Sequence, residues 1–460
     1  MQDVLLLIST IGLLAAGCLV PFVMALGYVW VDMFSPHMIS ESLLQPVPMS
    51  YIFGLGSVIS YVVRDRREPP RLSGITIAII LLAIWITLTT TWAVRPDMAW
   101  WRWDLAIKMA FFATFLPYVI RSRVQIEALA LVYLFCIAAH TVPWGLKTML
   151  TGGGYNQALG LMRAGQSLLE ESSVISAVCV MVVPFALVWR KHSILLPKTR
   201  IVAIAMWAII VLSLIASIGT FARTALVAFA VCGSLMWLRS RQKLLFLVIA
   251  AVLGVIMFAV TSDKWVARVS TVTDYASENS AYVRILVWEW ALNFVAQNPL
   301  GGGFWAYLIN RIEVPNPSGG AASVQYARAW HNIFIAVLAE HGFPGFILYT
   351  SIIGMVLVTL QRCRRLTRGL IEHAWCFEFA GALQISIITL FAAGNFVEFG
   401  WTPVIWYLFS MSIALREYVR KSVEAPVVRY SFNPVRAKVE TPGPILPGQP
   451  AFTPTAQSRR

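Results

Sequence analysis

Charge is scarce in this chain. Of 460 residues only 13% are charged, while 58% are hydrophobic; an average soluble domain carries about 25% charged residues. That shortage excludes a large soluble enzyme. A disulfide framework is excluded as well. The six cysteines, Cys18, Cys136, Cys179, Cys232, Cys363 and Cys376, fall in apolar runs or beside basic clusters, and none forms a CxxC pair. No Asp-rich motif of the kind that holds a divalent cation is present. The Gly301–Gly303 run follows no strand, so it is not a nucleotide loop. Neither a metal nor a cofactor is expected. Internal repeats of the inverted-transporter kind are not visible.

What the chain does have is a series of apolar runs of about 20 residues, the length that crosses a bilayer. Lipid cannot satisfy backbone polar groups, so such runs must be helices. The expected fold is all-α, a polytopic transmembrane bundle. The net charge of +14 does not point to nucleic acid, because the basic residues cluster between apolar runs: Arg64 to Arg71, Arg121 to Arg123, Arg190 to Arg200, Arg239 to Lys243, Arg362 to Arg368, and the tail from Arg416. This is the positive-inside pattern, and the partner it implies is membrane lipid.

Placing every cluster inside orders the spans. They fall at 46–63, 74–92, 104–120, 125–143, 172–189, 201–219, 222–238, 244–261, 331–360, 375–393 and 401–415. Residues 3–34 are either one long tilted helix or two short ones broken at Gly17–Pro21, which gives 12 or 13 spans. The first residues read as a retained membrane segment. Three regions follow: an N-terminal transmembrane region, 1–200; a second one, 201–415, enclosing a large outer loop at 262–330; and a Pro-rich basic tail, 416–460, expected to be disordered.

Three outer segments carry polar residues. VRPDMAWWRWD, at 94–104, reads as a short loop with an interfacial aromatic belt. Residues 144–171 hold Gly152–Gly154, Arg163, Glu170 and Glu171. The loop 262–330 has nearly balanced charge, and a long balanced loop is more than a linker. Within it, 283–297 reads as a helix lying on the membrane surface, with Ile285, Trp288, Leu292 and Val295 at helical spacing. Arg284 sits on its first turn, and Trp288 shares its face.

Three candidates for chemistry emerge. Arg223 lies at the outer end of a span in GTFARTALV, 219–227; its plain reading is a snorkelling cation. Yet outer-face arginines are the minority here, and an Arg facing a bundle is a functional candidate. Arg284, alone, reads as a surface cation on an amphipathic helix. His331 opens a membrane helix in HNIFIAVLAEHGFPG, where the positive helix end favours an anion; a lone His is more often structural. Gly342 and Gly345 permit close packing, and Pro344 forces a bend. Taken together, two Arg and one His converge on one outer vestibule. Arg suits bidentate phosphate recognition, and His accepts a proton near neutral pH. Arg328 and Trp288 join them as substrate-binding candidates. A membrane site that grips phosphate from outside suggests a lipid-linked pyrophosphate substrate. A transporter of such a lipid would show repeats and charges deep in several spans, and few are seen.

At these residues the chain resembles the O-antigen ligase and polymerase superfamily of bacterial inner-membrane glycosyltransferases. The likeness is strongest over about 205–350. It rests on GTFARTALV, on the stretch from Arg284 through Trp288 and Ala291 to PLGGGF, and on the HN and EHGFPG elements from His331. The N-terminal part, with SPHMI at 35–39, resembles O-glycosylation ligases that accompany exosortase systems. The chain departs from the family at Thr224, and at SLLEESSVIS, where ligases often carry an Asn-rich segment. The resemblance implies transfer of a glycan from undecaprenyl pyrophosphate, on the periplasmic face, to a lipid A core, a protein hydroxyl or a growing polysaccharide. It implies no metal and no nucleotide sugar. By motif, Arg223 and Arg284 would bind pyrophosphate, and His331 would be the general base or a further phosphate ligand.

Overall fold

The computed structural model describes residues 2–152, 171–240, 242–244, 248, 251, 254–255, 279–315 and 322–424. The expected span 244–261, the loop portions 153–170 and 262–278 and the tail from 425 lie wholly or mostly outside these residues.

The described chain is helical throughout its apolar runs. It folds as α1 (Gln2–Leu19), α2 (Pro21–Phe34), a short α3 (Pro36–Ile39), α4 (Met49–Arg64), α5 (Gly74–Thr91), α6 (Pro96–Val119), α7 (Arg123–Thr151), α8 (Ser172–His192), α9 (Arg200–Gly219), α10 (Arg223–Arg239), α11 (Asn279–Gln297), α12 (Ile333–Thr367), α13 (Ala374–Ala393) and α14 (Pro403–Val419). Among the described residues, seven helices are long and apolar enough to cross a membrane. Pro21–Phe34 and Met49–Arg64 are shorter apolar helices.

Successive helices alternate between two ends of the bundle. One end gathers Arg64, Arg123, Arg190, Arg200, Arg239 and Arg364, and is called the basic end. The other carries α11 and the hairpin that follows it, and is called the loop end. Caps lie where the sequence supplies them. Ser73, Ser122 and Thr199 each accept from a backbone N–H of the first turn at the basic end, and Ser122 and Gln125 form a capping box. The N-terminal stretch takes its two-helix form, with Pro21 at the start of α2, where its missing N–H costs nothing. Asp3 accepts from the amides of Glu41 (2.9 Å) and Ser42 (3.0 Å), which pins the start of α1 to the loop end. At the centre stands α8, buried along nearly its whole length and packed by α7, α9, α10 and α13.

One expectation about the loop end is corrected. The aromatic segment 94–104 is not a loop. Pro96 opens α6, so Trp100, Trp101, Arg102 and Trp103 all lie on its first turns. The helix α11 forms where the spacing places it, and its register sets which residues pack inward. It buries Val283, Val287, Ala291 and Val295, while Ile285 and Leu292 are exposed. That stripe packs on Ala306, Ile312, Val314, Trp330, Ala336 and Ala339. The winning contact is a small antiparallel hairpin, which apolar periodicity did not reveal: β1 (Arg311–Val314) pairs with β2 (Ser323–Tyr326). Ile312 and Val314 point inward from alternate positions of β1.

The main irregularity is in α12, which breaks at Gly342 (φ 64°, ψ −169°). Pro344 cannot donate, so the carbonyl of Glu340 loses its helical partner. The glycine run repairs the break. Gly302 N donates to Ala339 O (3.0 Å), Gly303 N to Glu340 O (2.8 Å), and Phe343 N to Pro299 O (3.0 Å). The Trp85 indole donates to His341 O (2.7 Å). Freed carbonyls at a helix break must find donors, and here a loop backbone supplies them. The expected bend is therefore present, but its pivot is Gly342 and not Pro344.

Candidate active site

His331 stands at the start of α12, one residue before the N-cap. Asn332 caps the helix, its Oδ1 accepting from Phe334 N (2.9 Å) and Ile335 N (3.2 Å). Ile333 N donates to Gly394 O (2.8 Å), tying this start to the end of α13. His331 itself adopts a left-handed backbone, φ 48°. A non-glycine residue held there stores about 1–3 kcal/mol of strain, which persists only where its surroundings over-determine it.

Those surroundings are specific. Trp330 is fully buried. Its carbonyl accepts from the Trp288 indole (2.8 Å), and its ring lies against Trp290 and Tyr307. On the other side, buried Asn310 clasps the backbone of Arg328. Its Oδ1 accepts from Arg328 N (2.9 Å), and its Nδ2 donates to Arg328 O (2.6 Å). Trp288 and Asn310 thus fix the chain from 328 to 331.

The charges around His331 come from several elements. Burial pushes its imidazole pKa down to about 4, helped by the positive charges of Arg284 and Arg328. The ring is therefore neutral at any ordinary pH. Arg284, on α11, also acts on Glu171, the residue that precedes α8. Surrounding protein raises the Glu171 carboxyl and Arg284 pulls it back. Glu398, in the turn between α13 and α14, is raised by burial and by Glu171, against a lowering by Arg102.

The structure thus brings His331, Arg284, Arg328 and Trp288 to one place. Arg223 opens α10 after Phe221, whose backbone is left-handed (φ 52°). Its level follows from helix register. The Cys232 thiol approaches Val180 O at 3.9 Å, and α8 and α10 run in parallel. About nine residues, or ~13.5 Å of helix rise, separate Cys232 from Arg223 and Val180 from Glu171. Arg223 therefore comes level with Glu171 at the loop end. Among the described residues, no group of three or more His, Cys, Asp and Glu is arranged to hold a metal ion.

Sequence reasoning missed Arg102, Tyr307 and Glu398. Arg102 was hidden inside the tryptophan cluster. Glu398 did carry a signal: it is the one charged residue between Glu378 and Arg416. Glu340 was noted in EHGFPG, but its work is structural, its Oε1 accepting from Trp305 N (2.9 Å).

Comparison with known proteins gives two family matches. Residues 1–194 match a family of unknown function, and residues 208–350 match the O-antigen ligase family. No curated protein matches the chain. Arg223, Arg284, Arg328 and His331 all lie inside the second match, whereas Arg102, Glu171 and Glu398 lie outside it. The chain is a multi-pass helical membrane protein whose residues 208–350 match the O-antigen ligase family.

Proposed function

We propose that this protein is a bacterial inner-membrane glycosyltransferase that moves a glycan from undecaprenyl pyrophosphate to an acceptor hydroxyl on the periplasmic face. The orientation rests on the arginines gathered at the basic end, which the positive-inside rule assigns to the cytoplasm. The observation that carries the reading is the placement of His331 at the strained start of α12, at the loop end, where the charges of Arg284 and Arg328 act on its ring.

The neutral ring offers a nitrogen lone pair to a proton, and the negative charge of a bound pyrophosphate raises its basicity toward the working pH. His331 takes the proton of the acceptor hydroxyl as that oxygen attacks the anomeric carbon. The bond from the anomeric carbon to the pyrophosphate oxygen breaks, and undecaprenyl pyrophosphate leaves. Arg284 and Arg223 hold the charge that grows on the leaving group, in a site where donors are already oriented. Direct displacement inverts the anomeric centre. Arg328 and Trp288 complete the substrate-binding set, Trp288 by fixing the chain before His331. The acceptor is a lipid A core, a protein hydroxyl or a growing polysaccharide, and the last of these would make the enzyme a polymerase.

The test is glycan transfer by cells in which the wild-type protein is replaced by His331→Ala, Arg223→Ala or Arg284→Ala. Mass analysis of lipid-attached, protein-attached and free glycan identifies the acceptor. Loss of one class at normal protein levels is expected, and unchanged glycoconjugates in all three variants would refute the assignment.

A further inference from the structure

The inward face of α6 is a stripe of mostly small and apolar residues: Ala99, Ala106, Met109, Ala110 and Ala113. Arg102 interrupts it as the one cation, and it is only 9% exposed. An arginine brings five donors and no acceptor, and no nitrogen of Arg102 is sealed off without a partner. Arg102 makes no hydrogen bond or ion pair in the described structure. Two other polar groups nearby are also unspent. Among the described residues, Glu398 makes no hydrogen bond or ion pair and the Tyr307 hydroxyl makes no hydrogen bond. The three side chains come from α6, the loop after α11 and the turn before α14.

Packing brings these elements together. Trp101, adjacent to Arg102, meets Trp305 at 5.5 Å between rings, and Trp305 holds a left-handed backbone (φ 60°) with its N–H on Glu340. Tyr307, two residues on, packs its ring on Trp330, the neighbour of His331. The charge of Arg102 is felt by both Tyr307 and Glu398, although no ion pair forms between the two charges. Phe304, beside Trp305, meets Trp401 of the turn before α14 at 5.5 Å between rings, so a donor, an acceptor and a hydroxyl are carried by three adjoining segments.

The ligand chemistry follows from that arrangement. A phosphate would accept from Arg102 but be repelled by Glu398. An amine would bind Glu398 but be repelled by Arg102. A pair of sugar hydroxyls satisfies both, since each hydroxyl donates and accepts, and the two tryptophans offer apolar faces to the ring. We propose that Arg102, Glu398 and Tyr307 form a saccharide subsite that holds neighbouring hydroxyls of a sugar beside His331. This rests on the glycan-transfer reading. It also gives the region 1–194 a direct part in the site, through Arg102.

The test uses the full-length protein in nanodiscs, with Arg102→Gln, Glu398→Gln and Tyr307→Phe. Two probes are bound: bare undecaprenyl pyrophosphate, and the lipid-linked glycan extracted from the producing cells. If the sugar belongs to the donor, the variants bind the bare carrier as the wild type does, and the preference for the loaded carrier falls about tenfold, as expected for a hydrogen bond to a charged group. If the sugar belongs to the acceptor, donor binding is unchanged and the acceptor KM rises about tenfold with kcat nearly constant. Equal weakening of both carriers would mark a phosphate site and overturn the proposal. So would unchanged binding and KM in Tyr307→Phe and Glu398→Gln proteins that melt like the wild type. If Arg102→Gln does not fold, these two variants decide. The subsite and the transfer reaction fail separately: a wild-type protein that prefers the loaded carrier but forms no product keeps the subsite and loses the reaction.

Discussion

The Gly303 amide donates to the Glu340 carbonyl over 2.8 Å, joining the loop after α11 to the break in α12. Through this bond and its neighbours, the segment that carries Tyr307 is locked to the helix that His331 begins. The PLGGGF and EHGFPG elements are thus two halves of one clamp. Their glycines serve geometry. Gly342 has a backbone that side chains rarely adopt, and a Cβ there would collide with Pro299 O. A Cβ at Gly301 would meet the backbone of Glu340 and Gly342.

Gly342→Ala should therefore destabilise the protein by about 2–4 kcal/mol, combining backbone strain with overpacking. The check is thermal unfolding in detergent. A melting temperature equal to that of the wild type would show that the break tolerates a side chain, and that the clamp is not as tight as drawn.

His331 should stay neutral far below the usual histidine range, because burial and two guanidiniums depress its pKa to about 4. The sign for stability follows. Between an ordinary unfolded value of about 6.5 and the folded value near 4, the unfolded chain binds the proton and the folded chain does not. This group's stability contribution is present above pH ~6.5 and lost as pH falls toward 4. Nitrogen-15 spectra of histidine-labelled protein, with His331→Asn to assign the signal, read the titration directly. An apparent pKa of 6.5 or above would show that burial and the two arginines do not hold the free ring neutral.

Arg284 has two effects to separate. Arg284→Ala should cut transfer by about 10- to 100-fold, the range for losing a charge-assisted contact to phosphate. It should also raise the pKa of His331 and of Glu171, since Arg284 lowers both. Arg284→Lys should restore much of the electrostatic effect but less of the transfer, because an ammonium lacks the bidentate fork. Equal recovery of both would mean that Arg284 acts only as a point charge.

Much of this fold was legible because apolar runs and basic clusters report on length and side, which are properties of the sequence alone. Spans such as 74–92 and 201–219 match α5 and α9 within a residue. The site was legible in part, because Arg223, Arg284 and His331 sit in ordered motifs. What escaped depended on tertiary contact. The buried face of α11 was decided by a hairpin whose strands are four residues each. Arg102 read as part of an interfacial belt because three tryptophans surround it, and only the start of α6 at Pro96 turns it inward. Glu398 was visible as an isolated acid, but nothing in one sequence placed it near Arg102.

The most direct test of the account is a reconstituted transfer assay with purified protein, lipid-linked donor and acceptor, comparing wild type with His331→Ala. The account predicts that His331→Ala forms product at least ~100-fold more slowly, while binding the lipid-linked donor as tightly as the wild type does. Product formation at the wild-type rate, or a donor affinity that collapses with the imidazole, would contradict the central claim that a neutral His331 is the base and the arginines are the phosphate ligands.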